Sequence, residues 1–261
     1  MEAKGEMYTF TKTDITKNTL FNDFINSVTG KNDDFWEGHI VDSQKYNVML
    51  SGQIIGLCGI CNYENLTFFY IQPAFLRHAQ PAFNTMLDVL KPQYSFAPTN
   101  DEQLISLCMD KQARIEMQAY FWRHGGIAVR PAEYSRDLLS LAVPSDKADI
   151  MEMEDDEDEE EVDERIAQGK YYVMREKGIF LGQGNFHRHT ILHDAVSIGM
   201  AVHPNFRRKG VGRSIIMHLA DICLKNGLTP YCGCWYYNHN SKATLESAGF
   251  VSQTRLLKIW F

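Results

Sequence analysis

The chain has 261 residues, 44% of them hydrophobic and 12% aromatic, and a net charge of −7. That is enough apolar material for one large packed core or two small ones. No apolar run approaches the ~20 residues a membrane-spanning helix needs, and the opening MEAKGEMYTFTKTD has no apolar leader core, so a cytoplasmic protein that binds no membrane is expected.

In chain order, YNVMLSGQIIGLCGICNY reads as two strands around a turn at Gly52. Cys58 and Cys61 there have C-x-x-C spacing, but no second pair or paired histidine follows to complete a metal site. They read as thiols packed like small apolar residues. FYIQPAFLRHAQPAFNTMLDVL then passes from a strand to a helix, and QYSFAPTNDEQLISLCMD follows with a second strand and helix. GGIAVRP and AVPSDK look like a linker.

Residues 152–164 carry 11 of the 33 acids, which leaves 22 acids against 26 bases elsewhere. Such a block repels phosphate and argues against nucleic-acid binding. It reads in two ways. It attracts a polycationic amine, or it is a solvated helix face or loop, where charge blocks usually belong.

The second half is clearer. Residues 171–175 and 179–187 form two strands around Lys177-Gly178. DAVSIGMAVHP is a buried strand closed by Pro204. GRSIIMHLADICLKNG is a helix with Ile215, Leu219, Ile222 and Cys223 at helical spacing and Asn226-Gly227 as its stop. PYCGCWYY is a strand, NSKATLESAGF a short helix and SQTRLLKIWF a last strand. Matching Pro73 to Pro204 lays the first half over the second at a spacing of 131 residues, so an internal duplication is expected. In that match Gly210 meets Ala79 and Gly212 meets Pro81. Alanine penalises left-handed backbone and proline lacks an N–H, so only the second copy is expected to cradle an anion.

The segment VHPNFRRKGVGRS joins a strand to a helix through two close glycines. Its backbone N–H groups and the partial positive charge of the helix end suit a pyrophosphate, and Arg207, Arg208, Lys209 and Arg213 are expected at the rim. No G-K-[ST] follows, and the spacing is not G-x-G-x-x-G, which sets aside two nucleotide-binding loops.

R-x-x-G-x-G (Arg207, Gly210, Gly212) after V-x-P (Val202, Pro204), followed by Asn238, Ser241, Leu245, Gly249 and Phe250, resembles the acyl-CoA signature of GNAT-family N-acetyltransferases. The tandem layout resembles the zwittermicin A-resistance type. The resemblance implies an α/β (α+β) fold of two GNAT-like domains, each a mixed, mostly antiparallel sheet flanked by helices, with splayed parallel strands in the C-terminal one. The expected division is a degenerate domain at 1–130, a linker at 131–146 and an acetyl-CoA-binding domain at 147–261.

It further implies that Met200, Ala201 and Val202 pair with the pantetheine arm of acetyl-CoA, that Arg207, Arg208, Lys209, Gly210, Val211, Gly212 and Arg213 surround the pyrophosphate, and that Asn238 and Ser241 complete the site. A primary amine of a small acceptor then attacks the thioester directly. The family often has a proton-donating Tyr seven residues after the Asn; here that position is Leu245. Tyr236 or Tyr237 is the nearest substitute, and Tyr237 is taken as the acid. His187, His189, His193 and Asp194 follow the preceding hairpin, and His189 with Asp194 is taken as the base. No metal is expected, and a homodimer is compatible with this reading. The alternative reading is a GNAT-fold acyl-CoA sensor or binding module without turnover.

Overall fold

The computed structural model describes residues 8–14, 19–28, 30, 32–153 and 158–261. The chain divides into two compact units, residues 1–120 with 254–261, and residues 121–253.

Unit 1 begins with β1 (Tyr8–Thr13), α1 (Thr19–Ser27) and α2 (Asp34–Val41). An antiparallel run follows, β2 (Gln44–Leu50), β3 (Gln53–Cys61) and β4 (Asn65–Ile71). Every residue of β4 (NLTFFYI) is buried, as suits a mostly apolar strand; its polar Thr67 donates to the Gly59 carbonyl and Asn65 Oδ1 accepts the Phe96 N–H. A 3-10 turn at Pro73–His78 runs directly into α3 (Ala79–Leu90), and β5 (Tyr94–Pro98), α4 (Glu102–Met109) and β6 (Arg114–His124) follow. Cys58 and Cys61 pack in the core on β3, where burial drives the Cys58 thiol well above its usual range.

Unit 2 repeats the plan with β7 (Leu139–Leu141), α5 (Lys147–Met151), α6 (Glu159–Ala167), β8 (Tyr171–Glu176), β9 (Ile179–Arg188), β10 (Ala195–Val202), α7 (Val211–Lys225), β11 (Thr229–Trp235), α8 (His239–Ser247) and β12 (Phe250–Trp260). In unit 1 the strands are ordered β1-β2-β3-β4-β5-β12-β6, and in unit 2 β7-β8-β9-β10-β11-β6-β12. The fold is the expected mixed sheet flanked by helices, built twice. The two versions match position for position, with each unit's penultimate place filled by the long strand that ends the other half of the sequence.

Two expectations about boundaries change. The division falls at 120/121 and again at 253/254 rather than at 130. The stretch expected as a linker at 131–146 is structured within unit 2: β7 pairs antiparallel with β8, from Leu139↔Met174 to Leu141↔Tyr172, and Asp146 ties to Arg175 at 2.7 Å. The cause is tertiary. A three-residue strand has too little local signal to be read alone, and is held by its neighbour.

The end of the chain belongs to unit 1. Leu256 to Trp260 pair antiparallel with β5, and Ile259 is fully buried in the core with Phe69, Phe83 and Met86. Ile259→Ala is expected to lower stability by about 3 kcal/mol, read by denaturant unfolding of the full chain.

Two buried acids in unit 1 serve as helix caps: Asp33 accepts the Trp36 N–H and Asp101 the Leu104 N–H. Burial, with the charge of Asp34 second, raises Asp33 to about 8, and burial raises Asp101 to about 6. A raised carboxyl favours the fold while protonated, so its contribution is whole below the unfolded value near ~4 and is lost as pH rises through the folded value. The melting temperature is therefore expected to fall between pH 5 and 8, and Asp33→Asn, which keeps the cap acceptor, should flatten that slope.

Candidate active site

β10 is largely apolar over AVSIGMAV and pairs on one side with β9 from Val196↔Arg188 to Val202↔Gly182. On the other side its parallel pairing with β11 covers Ala195↔Thr229, Val196↔Pro230 and Ser197↔Tyr231, then stops. Pro230 withholds a donor within that short ladder. Both strands continue, β10 to Val202 and β11 to Trp235, so they part and leave an open β10 edge. Met200, Ala201 and Val202 line the resulting cavity of about 760 Å³.

The chain turns at Pro204–Phe206 and then takes two left-handed residues, Arg208 at φ 60° and Gly210 at φ 86°. α7 begins at Val211, and no side chain caps it. The first N–H groups of a helix have no partner within the helix, and Gly210, Val211, Gly212 and Arg213 all line the cavity. Arg207 and Arg208 stand exposed on its wall, with Arg207 Nε donating to the Val202 carbonyl at 3.2 Å.

The two glycines serve different needs. Gly210 supplies a positive φ, and a Cβ there would also lie 2.5 Å from Glu133 Cδ. Gly212 lets the helix approach the strand, because a Cβ would lie 3.1 Å from Val202 Cγ2.

Asn238 caps α8, accepting the Ser241 N–H at 3.0 Å, and both residues line the cavity. So do Asn240, Ala243, Thr244 and Ser247, which sequence reading missed. Their spacing is the one-face period of a helix, so the period could have found them once Asn238 was placed. Arg130 and Met153 also join the wall; nothing local in the sequence marks them.

Arg213 does not stand at the rim as expected. It is 3% exposed and donates to the carbonyls of Ser247 (3.0 Å), Pro131 (2.8 Å) and Arg130, and to Glu133 at 2.9 Å. Burial alone would raise the Glu133 carboxyl, but the Arg213 hydrogen bond, a backbone hydrogen bond and the charges of Arg213 and Arg130 together outweigh it and hold the group below its usual value. Glu133 also pairs with Arg130 at 2.7 Å. Arg213 thus fastens the segment before β7 to the start of α7. Lys209 lies outside the cavity wall; its Nζ donates to the Asn205 carbonyl at 3.0 Å.

The expected catalytic side chains are not gathered at the cavity wall. Tyr237 is 53% exposed just past β11, edge-on to Trp235 at 5.0 Å. His189 is buried, with Nε2 2.8 Å from Ser197 Oγ. Asp194 is exposed in the turn before β10, its carbonyl accepting the Thr229 N–H. Leu245 is buried in α8. Of the acidic run, residues 154–157 lie outside the described residues. Asp158 caps α6 and Glu159, Glu160 and Glu161 fill its first turn, where negative charge favours the helix.

The parted parallel strand pair, the glycine loop and the uncapped helix start thus meet in one strand–loop–helix cavity in unit 2. Residues 13–125 match the model of an acetyltransferase (GNAT) domain, and residues 136–250 match that of the acetyltransferase (GNAT) family. The chain therefore belongs to the GNAT acetyltransferases, carries two GNAT domains in tandem and is an acyltransferase.

Among solved structures it is similar to a GNAT-family acetyltransferase from Colwellia psychrerythraea, with 17% identity, a TM-score of 0.83 and coverage of 98% of this chain and 99% of that one. A GCN5-related N-acetyltransferase from Sphaerobacter thermophilus matches at 13% identity and a TM-score of 0.65, covering 97% and 95%. A tandem GNAT protein from the clavulanic acid biosynthesis pathway matches at 13% and 0.64, covering 97% and 98%. At these identities the likeness is one of fold. No protein with a curated description matches the chain. Among the described residues, no helix is long and apolar enough to cross a membrane.

Gly210→Ala is expected to cost about 1–3 kcal/mol from its dihedral and its clash with Glu133. Adding Glu133→Ala removes the clash, so the double variant should lose less than the two single losses summed, read by thermal unfolding.

Proposed function

We propose that unit 2 transfers an acetyl group from acetyl-CoA to a primary amine of a small acceptor. One observation carries the reading: the open edge at Met200–Val202 and the uncapped start of α7 lie in the same cavity. An open strand edge offers an N–H and a carbonyl to an amide-bearing arm and a donor to a thioester oxygen. The amides of Val211, Gly212 and Arg213, with Arg207 and Arg208, suit a pyrophosphate. Asn238 and Ser241 form the facing wall.

In this reading the neutral acceptor nitrogen attacks the thioester carbon directly, backbone N–H groups polarise the carbonyl, the C–S bond breaks with sulfur leaving as the thiolate, and the proton shed by the nitrogen passes to water. Tyr237 is the proposed proton donor to that sulfur, since it directly precedes Asn238 of the cavity wall. His189 is buried with Nε2 2.8 Å from Ser197 Oγ, and this reading assigns it no part in the step. The acids of residues 152–164 would favour a cationic acceptor.

Acetyl-CoA should bind one site per chain by calorimetry, and thiol release should appear with at least one member of a panel of small amines. Tyr237→Phe should lower kcat by about tenfold or more and leave the KM for acetyl-CoA unchanged. The buried Leu245 at the family's usual acid position favours a second reading, an acyl-CoA sensor. Binding of acetyl-CoA with no thiol release for any amine would establish that one instead.

A further inference from the structure

Unit 1 contains the same parting of parallel strands. β4 pairs with β5 through Asn65↔Tyr94 and Leu66↔Ser95 only, yet it runs on to Ile71. Ile71 stands two residues before Pro73, as Val202 stands two before Pro204. The neighbouring N–H groups agree: Gln72 donates to Ile55 at 2.9 Å and His203 to Leu181 at 3.1 Å, each toward the antiparallel partner. Strand residues alternate in direction, so the peptide groups of Ile71 and Val202 both face the parted side.

In unit 1 that side is filled. Gln103 Oε1 accepts the Ile71 N–H at 2.9 Å, and Gln103 Nε2 donates to the Ile71 carbonyl at 3.3 Å. This is the paired contact that an amide lying along a strand edge would make. Gln103 is the second residue after the helix cap Asp101, whose carboxylate accepts the Leu104 N–H. In unit 2 the cap is Asn238, accepting from Ser241, so the corresponding position is Asn240. Asn240 is exposed and lines the cavity, and the contact made to the Val202 carbonyl comes from Arg207 instead. Asparagine is one methylene shorter than glutamine. The loop has closed in unit 1 as well, since the 3-10 turn enters α3 directly and Ala79 sits at φ −59°.

We propose that Gln103 is an internal plug, an amide of the chain itself on the edge where unit 2 would take an amide of the cofactor. Asn240 is then the residue whose shortness keeps the unit 2 edge open, and position 240 sets cofactor affinity. The statement about residue 240 rests on the proposed function; the plug does not.

Three variants test this. Asn240→Gln should weaken coenzyme A binding about tenfold or more by calorimetry. Asn240→Ala should weaken binding clearly less than Asn240→Gln, since a shorter side chain leaves the edge open. Unchanged binding by Asn240→Gln overturns the assignment, and so do equal losses in both variants, which would mean that Asn240 itself holds the ligand. In unit 1, Gln103→Ala should speed amide hydrogen exchange at Ile71 relative to the rest of β4. If that variant does not fold, Gln103→Met, of similar shape without the amide, is read the same way. Unchanged exchange at Ile71 overturns the plug. Failure of the unaltered chain to bind coenzyme A overturns the proposed function and the role of residue 240, while the Ile71 measurement still decides the plug.

Discussion

A strand that leaves its neighbour must find other partners for its peptide groups. Buried N–H and carbonyl groups are almost always paired, because an orphan costs about as much as a lost hydrogen bond. In both units the fourth strand parts from the fifth after two or three residues. Unit 1 satisfies the exposed edge with the Gln103 carboxamide. Unit 2 leaves it facing a cavity. The two domains thus answer one backbone constraint in two ways, and the unit 2 answer leaves a cavity beside the strand.

The start of α7 obeys a similar constraint. A helix of 15 residues carries a partial positive charge at its first turn and several N–H groups without helical partners. Gly210 keeps that turn bare by reversing the chain where a capping side chain would otherwise stand. Arg213, whose charge suggested ligand binding, instead braces the loop from behind by joining α7 to residues 130–133 and to the end of α8. Its bonds to backbone carbonyls exploit the planar fork of the guanidinium. Arg213 and Arg130, both paired with Glu133, line the cavity together with the exposed Arg207 and Arg208.

The two domains are alike in strand order and differ where unit 1 lacks the two glycines. Ala79 and Pro81 permit a continuous turn and helix where unit 2 has a loop. Unit 1 nonetheless depends on the last strand of the chain, whose Ile259 completes its core. The first domain is therefore closed by the final residues of the sequence, a contact of very high sequence separation that is costly to form.

The sequence by itself determined the local elements of unit 2. A buried apolar strand, a proline stop, glycines and a periodic helix are all short-range signals, and the V-x-P, R-x-x-G-x-G and Asn238 spacing placed β10, the loop and α8 in order. The offset of 131 residues likewise revealed the second copy. Tertiary structure alone decided the rest. Which strand end belongs to which unit, the pairing of β7, the burial of Arg213 and the separation of His189 from the cavity depend on partners that lie 8 to more than 80 residues away in sequence. Gln103 shows the limit most plainly. On its own it is an ordinary polar residue in the first turn of a helix; only the fold, by setting it across from Ile71, 32 positions earlier in the chain, gives its amide a strand edge to fill.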